Sequence, residues 1–268
     1  MASFTNFATL SYNGGTTNSN IVTGEILEAL TAVKTAVSAN YSAGDRITYA
    51  LSLVNTGTAA ITDYTVTDNL GGYTVGANTV YPLAYNAGTV RYYINGVLQT
   101  APTVTAGPPL TVTGLTVPAG GSAVLIYETT ATPVAPLATG SSITNTATIT
   151  GGGLTNPITA QATVETANSA DLTISKALSP TTVTENGRIT YTFVISNTGN
   201  TEATATGNVV VTDTFAPILR NIAVTYNGTA WTEGTNYTYN AATGVFTTLA
   251  GQITVPAATF TQNTDGTF

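Results

Sequence analysis

The residues able to do chemistry are few, and they recur at matching places. The sequence holds two lysines, Lys34 and Lys176, which lie 142 positions apart. The same spacing relates Tyr49 to Tyr191 and Asn55 to Asn197. Alternate residues of a strand share a face. Lys34 therefore sides with Leu30, Ala32 and Ala36, and Lys176 with Leu172, Ile174 and Leu178. Asp68 sides with Tyr64, Val66 and Leu70, and Asp213 with Val209, Val211 and Phe215. Asn145 sides with Ile143, Ala147 and Ile149, and Asn6 with Phe4, Ala8 and Leu10. All six polar side chains fall on faces that the apolar pattern assigns to a core.

An isolated buried charge is costly, so such groups pair or react. Two readings stay open. In one, each lysine keeps an unreacted buried ion pair with its aspartate, and asparagine completes the hydrogen bonds. In the other, the lysine amine attacks the asparagine carboxamide, ammonia leaves, and an isopeptide bond joins two strands. Burial favours that chemistry by lowering the lysine pKa towards a neutral nucleophile and raising that of the carboxyl group. A protonated Asp68 or Asp213 would donate to the amide oxygen, polarise it and shuttle the proton. By repeat position, Lys34, Asp68 and Asn145 form one set. Lys176 and Asp213 form the other, whose asparagine would be Asn6. Such a site reacts once, so no enzyme is expected beyond single-turnover, autocatalytic bond formation.

The elements that position these groups are read from an internal repeat. Residues 46–57, RITYALSLVNTG, recur at 188–199 as RITYTFVISNTG. YTVTDNL, ending at Leu70, matches VVVTDTF, ending at Phe215, and TVPAG around Pro118 matches TVPAA around Pro256. Alternation at Ile47, Tyr49, Leu51 and Leu53, and again at Ile189, Tyr191, Phe193 and Ile195, predicts antiparallel strands. Asn95-Gly96 and Asn227-Gly228 are signals for type I′ hairpin turns. The expected fold is all-β: two tandem Ig-like β-sandwich modules, 27–167 and 168–268, with an N-terminal donor hairpin over 1–26. Residues 25–34 have helical propensity. Their repeat counterpart, Asp171 to Lys176, reads as a strand, and both segments are taken as strands.

The hairpin is out of place. The first module closes with Ile143 to Ile149, a glycine turn at Gly151 to Gly153, and a return strand through Glu165. Phe4 to Leu10, the turn at Asn13 to Gly15, and the return through Glu25 match that closing hairpin at offsets of 139 to 140. The second module reaches Phe268 without such a hairpin, and without a counterpart of the strand Ala123 to Tyr127. A hairpin that leaves its own chain and completes a neighbour's second module adds strands to an open sheet. That contact is heterologous and propagates as a filament. A bond from Lys176 to the incoming Asn6 would make the filament covalent. Two other arrangements stay open: the hairpin folding back onto its own second module, and a closing hairpin encoded beyond Phe268.

The series Leu172-Thr-Ile-Ser-Lys176, Ile189 through Asn197-Thr-Gly199, and Val211-Thr-Asp213 resembles the bacterial conserved-repeat family, domain of unknown function number eleven. The closing strand Asn145-Thr-Ala-Thr148 of the first module fits the same family. The resemblance implies Ig-like modules displayed on a cell surface. In having lysine on a first strand, asparagine on a last strand and an acid between them, the chain is similar to isopeptide-bonded domains of Gram-positive pilins and adhesins. It implies an extracellular surface appendage whose partner is the protein itself. No secretory signal is visible after Met1, so the export route stays open.

Composition narrows the alternatives. The 268 residues contain no His and no Cys, which excludes a Ser-His-Asp triad, a thiol nucleophile and disulfides. Charged residues make up 7% of the chain, where about 25% is ordinary. A net charge of -7 argues against nucleic-acid binding. No apolar run is long enough for a membrane span. No Asp-rich loop suggests calcium, and neither a metal nor a cofactor is expected. Tyr92, Tyr93 and Trp231 leave room for an adhesin or carbohydrate-binding module with unreacted Lys–Asp pairs. The thirteen acids leave room for a cell-wall enzyme.

Overall fold

A computed structural model describes residues 2–26 and 29–268. Among the described residues the chain is built from antiparallel strands, with one 3-10 turn at Ala205–Gly207. It divides into two compact units. The first takes in residues 1–136, 142–165 and 263–268, and the second residues 137–141 and 166–262.

The first unit opens with a long hairpin. Strands β1 (Ala2–Asn6) and β4 (Val22–Ile26) pair, and β2 (Thr9–Tyr12) pairs with β3 (Gly15–Asn18) around a turn at Asn13-Gly14. The body follows with β5 (Leu30–Ala36), β6 (Asn40–Tyr41), β7 (Arg46–Asn55), β8 (Ile61–Asp68), β9 (Tyr73–Val75) and β10 (Asn78–Val80). It continues with β11 (Leu83–Tyr85), β12 (Arg91–Ile94), β13 (Val97–Leu98), β14 (Thr103–Thr105) and β15 (Leu110–Val117). The last three strands are β16 (Ser122–Ala131), β17 (Ser142–Gly151) and β18 (Ile158–Thr166).

Two sheets form the body. One runs β13-β12-β16-β7-β5, with β11 also on β16, and the other runs β14-β15-β8-β17-β18-β6. Alternate residues of each strand are buried between them: Ile47, Tyr49, Leu51 and Leu53 from β7, and Tyr64 and Val66 from β8. Thr144, Thr146 and Thr148 of β17 take the opposite, outward positions, which suits a residue that fits a pleated, half-exposed surface. This is the Ig-like sandwich expected. The segment of helical propensity is strand on both sides of residues 27 and 28, which lie outside the described residues. Tertiary pairing of Leu30–Ala36 with β7 overrides its propensity.

The second unit contains β19 (Leu172–Ser179) paired with β20 (Thr190–Asn197), and a sheet β21-β25-β24 of Thr212–Thr214, Val245–Thr248 and Tyr237–Asn240. A hairpin joins β22 (Val224–Tyr226) to β23 (Thr229–Trp231). Both Asn-Gly turns have the left-handed backbone a type I′ turn requires, with φ 48° and 79° at Asn95-Gly96 and 48° and 82° at Asn227-Gly228. The repeat holds at the level of register. Lys34 stands opposite Leu51 and Lys176 opposite Phe193, while Leu30 faces Asn55 and Leu172 faces Asn197. Asp68 faces Leu110 on β15, as Asp213 faces Phe246 on β25.

Candidate functional site

Each module positions its lysine and its acid through different sheets. In the first unit Lys34 comes from the edge strand β5, and Asp68 from β8 of the opposite sheet. Their side chains meet in the core: Lys34 Nζ lies 2.5 Å from Asp68 Oδ2, with side-chain exposures of 0% and 1%. Asp68 Oδ1 accepts the Leu70 N–H at 2.9 Å, which fixes a turn in which Leu70 holds a left-handed backbone of φ 51°. The Tyr127 hydroxyl donates a short hydrogen bond to Oδ2, the oxygen that also takes the lysine. Lys34 sits over two rings, 4.9 Å from the centroid of Tyr49 and 5.9 Å from that of Tyr127. These tyrosines are cross-strand partners on β7 and β16, stacked at 5.8 Å.

Asn145 completes the group. It lies on β17, beside β8, two residues from the Ala147 that faces Asp68. It is fully buried, and neither carboxamide atom makes a hydrogen bond of proper geometry. That is an expensive position for an amide. The group is nevertheless close enough to the Tyr49 and Tyr127 hydroxyls to oppose their upward pKa shifts, which arise first from burial and then from Asp68. Burial pushes the Lys34 amine down to about 8, against the pull of Asp68 in the other direction. The first unit thus brings together an amine of reduced proton affinity, a carboxylate bonded to it, and an unsatisfied carboxamide, all sealed from solvent.

The second unit builds the same pair without the seal. Lys176 Nζ lies 2.5 Å from Asp213 Oδ2, but the side chains are 41% and 17% exposed. Aromatic rings flank the ammonium, Tyr191 at 4.6 Å, Phe215 at 5.3 Å and Phe193 at 5.5 Å. The expected burial of Lys176 is therefore not met. Among the described residues strand β19 pairs only with β20, and β21 is the edge of its sheet. Among the described residues the second unit holds no counterparts of β16, β17 and β18, the strands that cover the first site. Asn6 is exposed as well, on a hairpin whose Phe4, Leu10 and Tyr12 are 55%, 63% and 62% exposed.

Some residues stand elsewhere than their types suggested. Tyr92 is buried, its hydroxyl bonded to the backbone of Thr116, so it offers no binding platform. Trp231 lies tilted against Tyr226, with ring centroids 5.0 Å apart, and packs against the core of the second unit. A shallow cleft of about 350 Å³ beside Tyr92, Gln99 and Thr113 carries no charged group. Sequence reasoning missed Tyr127 and the second role of Tyr49. Both look like ordinary core residues in alternation, although a buried tyrosine hydroxyl usually finds a partner. Among the described residues no three potential metal ligands cluster, and no helix is long and apolar enough to cross a membrane.

No family model and no curated protein matches the sequence. Solved structures similar to the chain include BcpA, the major pilin subunit of Bacillus cereus, at 14% identity over 94% of this chain and 64% of that one, TM-score 0.38. The full-length major pilin SpaD of Corynebacterium diphtheriae is 16% identical over 82% of this chain and 50% of that one, TM-score 0.38. The pilus backbone RrgB of Streptococcus pneumoniae is 15% identical over 45% of this chain and 31% of that one, TM-score 0.36. The chain spans less than two thirds of each of these structures, and likeness at this level carries no functional argument.

Proposed function

We propose that the chain is a structural subunit of a bacterial cell-surface filament, of pilus or fimbria type. Subunits join head to tail when the N-terminal hairpin of one completes the second module of the next. Lysine–asparagine isopeptide bonds then lock the strands, Lys34 to Asn145 within a subunit and Lys176 to Asn6 between subunits. The chemistry happens once per site, so the protein is structural and extracellular rather than a turnover enzyme.

One observation carries this reading: the hairpin repeats the register of β17 and β18 while leaving its apolar side in solvent. Asn145 pairs with Ala162 and Ile143 with Val164. Asn6 pairs with Val22 and Phe4 with Gly24, one repeat earlier on both strands. The Phe4 ring lies across Gly24, where a Cβ would come within 2.4 Å of it. The free edge of β21 offers the matching slot. In the first unit Ala147 faces Asp68 and Ile149 faces Val66. By repeat, Ala8 of the incoming strand faces Asp213 and Leu10 faces Val211.

Bond formation balances simply. The lysine nitrogen forms a bond to the asparagine Cγ, the bond from Cγ to Nδ2 breaks, and the nitrogen leaves as ammonia. Of the three ammonium protons, one stays on the new amide, one goes to the departing nitrogen, and one passes through the aspartate to make ammonium. A chain lacking residues 1–26, mixed with a synthetic peptide of those residues, should give an SDS-resistant adduct lighter than the sum by one ammonia. An Asn6→Ala peptide or a Lys176→Ala chain should give none. The register is tested by Leu10→Cys with Val211→Cys in the cysteine-free background, which should link chains into a ladder on oxidation. Polymerisation that survives loss of the hairpin overturns the donor arrangement. A monomer that keeps its full mass and binds glycans would favour the adhesin reading.

A further inference from the structure

The first-unit site contains a group that the lysine, aspartate and asparagine chemistry leaves unused. We propose that Tyr127 is the proton relay of bond formation, passing the proton that Asp68 takes from Lys34 to the departing nitrogen of Asn145. This rests on reading the first unit as a cross-linking site. It adds a reacting group to that reading, and it separates the roles of two tyrosines that look alike in sequence.

The geometry supports the relay in three ways. First, Asp68 is fully engaged: Oδ1 accepts the Leu70 N–H at 2.9 Å, and Oδ2 takes Lys34 Nζ at 2.5 Å together with the Tyr127 hydroxyl. A proton handed to Oδ2 by the amine has one hydrogen-bonded exit from that oxygen, which is Tyr127. Second, the compartment is sealed, with Asp68 and Tyr127 1% exposed and Asn145 0% exposed. Among the described residues Lys34 and Asp68 are the charged groups of the buried core, so no other acid stands ready for the leaving nitrogen. Third, Tyr127 comes from β16 and Asp68 from β8, so the hydroxyl bridges the two sheets that the new bond joins. Tyr49 stacks beside it and also lies close to Asn145, but its hydroxyl makes no hydrogen bond to the acid.

The protons move in sequence. Lys34 gives one to Asp68 Oδ2 and attacks Cγ of Asn145 as a neutral amine. Tyr127 gives its hydroxyl proton to Nδ2 as the bond from Cγ to Nδ2 breaks, and takes a proton back from Asp68. The ionised Asp68 accepts the second lysine proton and yields it to the ammonia, which departs as ammonium. Tyr127 and Asp68 end as they began, and a protonated lysine and an amide have become a secondary amide and ammonium.

The test follows the loss of one ammonia by intact mass during cell-free synthesis of the full chain at low temperature. Tyr127→Phe keeps the stacked ring and removes the hydroxyl. It should slow the mass loss about 100-fold, the range of a positioned general acid. Tyr49→Phe should react within a few-fold of the wild-type chain. A fluorinated tyrosine at position 127 keeps shape and fold, and the rate should rise as the phenol becomes more acidic. That readout would not move if the hydroxyl served packing alone. Equal rates in the wild-type and Tyr127→Phe chains, equal slowing by both phenylalanines, or no response to fluorination overturn the relay and leave the cross-link standing. A wild-type chain that keeps its full mass removes the cross-link and the relay together.

Discussion

The two lysine–aspartate pairs have the same contact distance, 2.5 Å, and opposite surroundings. The first is 0% and 1% exposed, the second 41% and 17%. Pair formation therefore needs only what both modules contain: a lysine facing inward from a first strand, and an acid at the end of the strand that faces it across the core. Burial needs more. In the first unit β16 brings Tyr127 over the pair and β17 brings Asn145 beside it, while the second unit holds no such strands among the described residues. A solvated ion pair is worth little, and a buried one is held at high cost by its surroundings. The same two residues are thus a marginal surface contact in one module and a constrained, buried pair in the other. The covering strands make the difference.

Removing the acid should break that comparison most sharply. In the unreacted Asn145→Ala background, Asp68→Ala leaves Lys34 charged in an apolar core and should destabilise the first unit by about 3–5 kcal/mol. Asp213→Ala leaves Lys176 half in water and should cost the second unit less than about 1 kcal/mol. Urea unfolding of the full chain, followed at peptides specific to each unit by hydrogen exchange, separates the two. Similar losses in both would mean that burial is not what distinguishes the sites.

The pH response should differ next. Burial lowers the Lys34 pKa to about 8 from its ordinary 10.5. Between those values the unfolded chain binds a proton that the folded chain has lost, so folded stability rises with pH through that window. Below about 8 the whole penalty is present. Asn145→Ala holds the first unit unreacted, and its melting temperature should climb between pH 8 and 10. The rate of ammonia loss from the wild-type chain should be flat from pH 6 to about 8, since Lys34 hands its proton to Asp68 inside the pair, and should fall above about 8 as that proton is lost to solvent. A rate that instead rises about tenfold per pH unit up to about 8 would mean that loss of the amine proton to solvent, not transfer inside the pair, supplies the neutral amine.

Much of this is legible in the sequence. The spacing of 142 residues placed the two lysines at one repeat position, and period-two alternation placed Lys34, Asp68 and Asn145 inward, where they lie. The same alternation misjudged Lys176. A pattern reports which face a residue takes, and burial of that face depends on strands that come from elsewhere. Tyr127 was illegible for a related reason. Its partner Asp68 lies 59 positions away on another sheet, and nothing local separates it from Leu125 or Ala123, which share its face. Residues 25–34 carry helical propensity, but the strand reading taken from their repeat counterpart holds at Val22–Ile26 and Leu30–Ala36, since propensity is a weak prior beside pairing with β7.

A structural pair sharpens the comparison at smaller scale. Asn55 and Asn197 sit at one repeat position and do the same work. Asn55 Oδ1 accepts the Gly57 N–H at 2.9 Å, and its amide donates to Ala59 and Pro118 carbonyls at 2.8 and 3.0 Å. Asn197 accepts from Gly199 at 2.9 Å and Asp171 at 3.0 Å, and donates to Thr201 at 2.7 Å. Only Asn55 is fully buried. Asn55→Ala should cost about 1–3 kcal/mol, because buried partners are left unpaired. Asn197→Ala should cost about 1 kcal/mol or less, since water replaces the lost contacts. Chemical denaturation of the two variants measures both, and equal costs would show that the cap, not its burial, sets the energy.

The smallest effect is expected where the repeat is most complete and least buried. Phe4 stands one repeat before Ile143, yet it is 55% exposed where Ile143 is 2% exposed. Ile143→Ser should cost about 3 kcal/mol, from a lost core side chain and a buried hydroxyl. Phe4→Ser should leave the melting of the isolated chain almost unchanged, within about 0.5 kcal/mol, as befits a surface site. The same Phe4→Ser change, carried on the peptide of residues 1–26, should weaken its capture by a chain lacking that hairpin. An apolar side chain that contributes nothing at home and matters only in the presence of a second copy is held for that copy. If Phe4→Ser instead melts its own chain as Ile143→Ser does, the hairpin belongs to a core within the chain, and the second unit must be completed by some other strand.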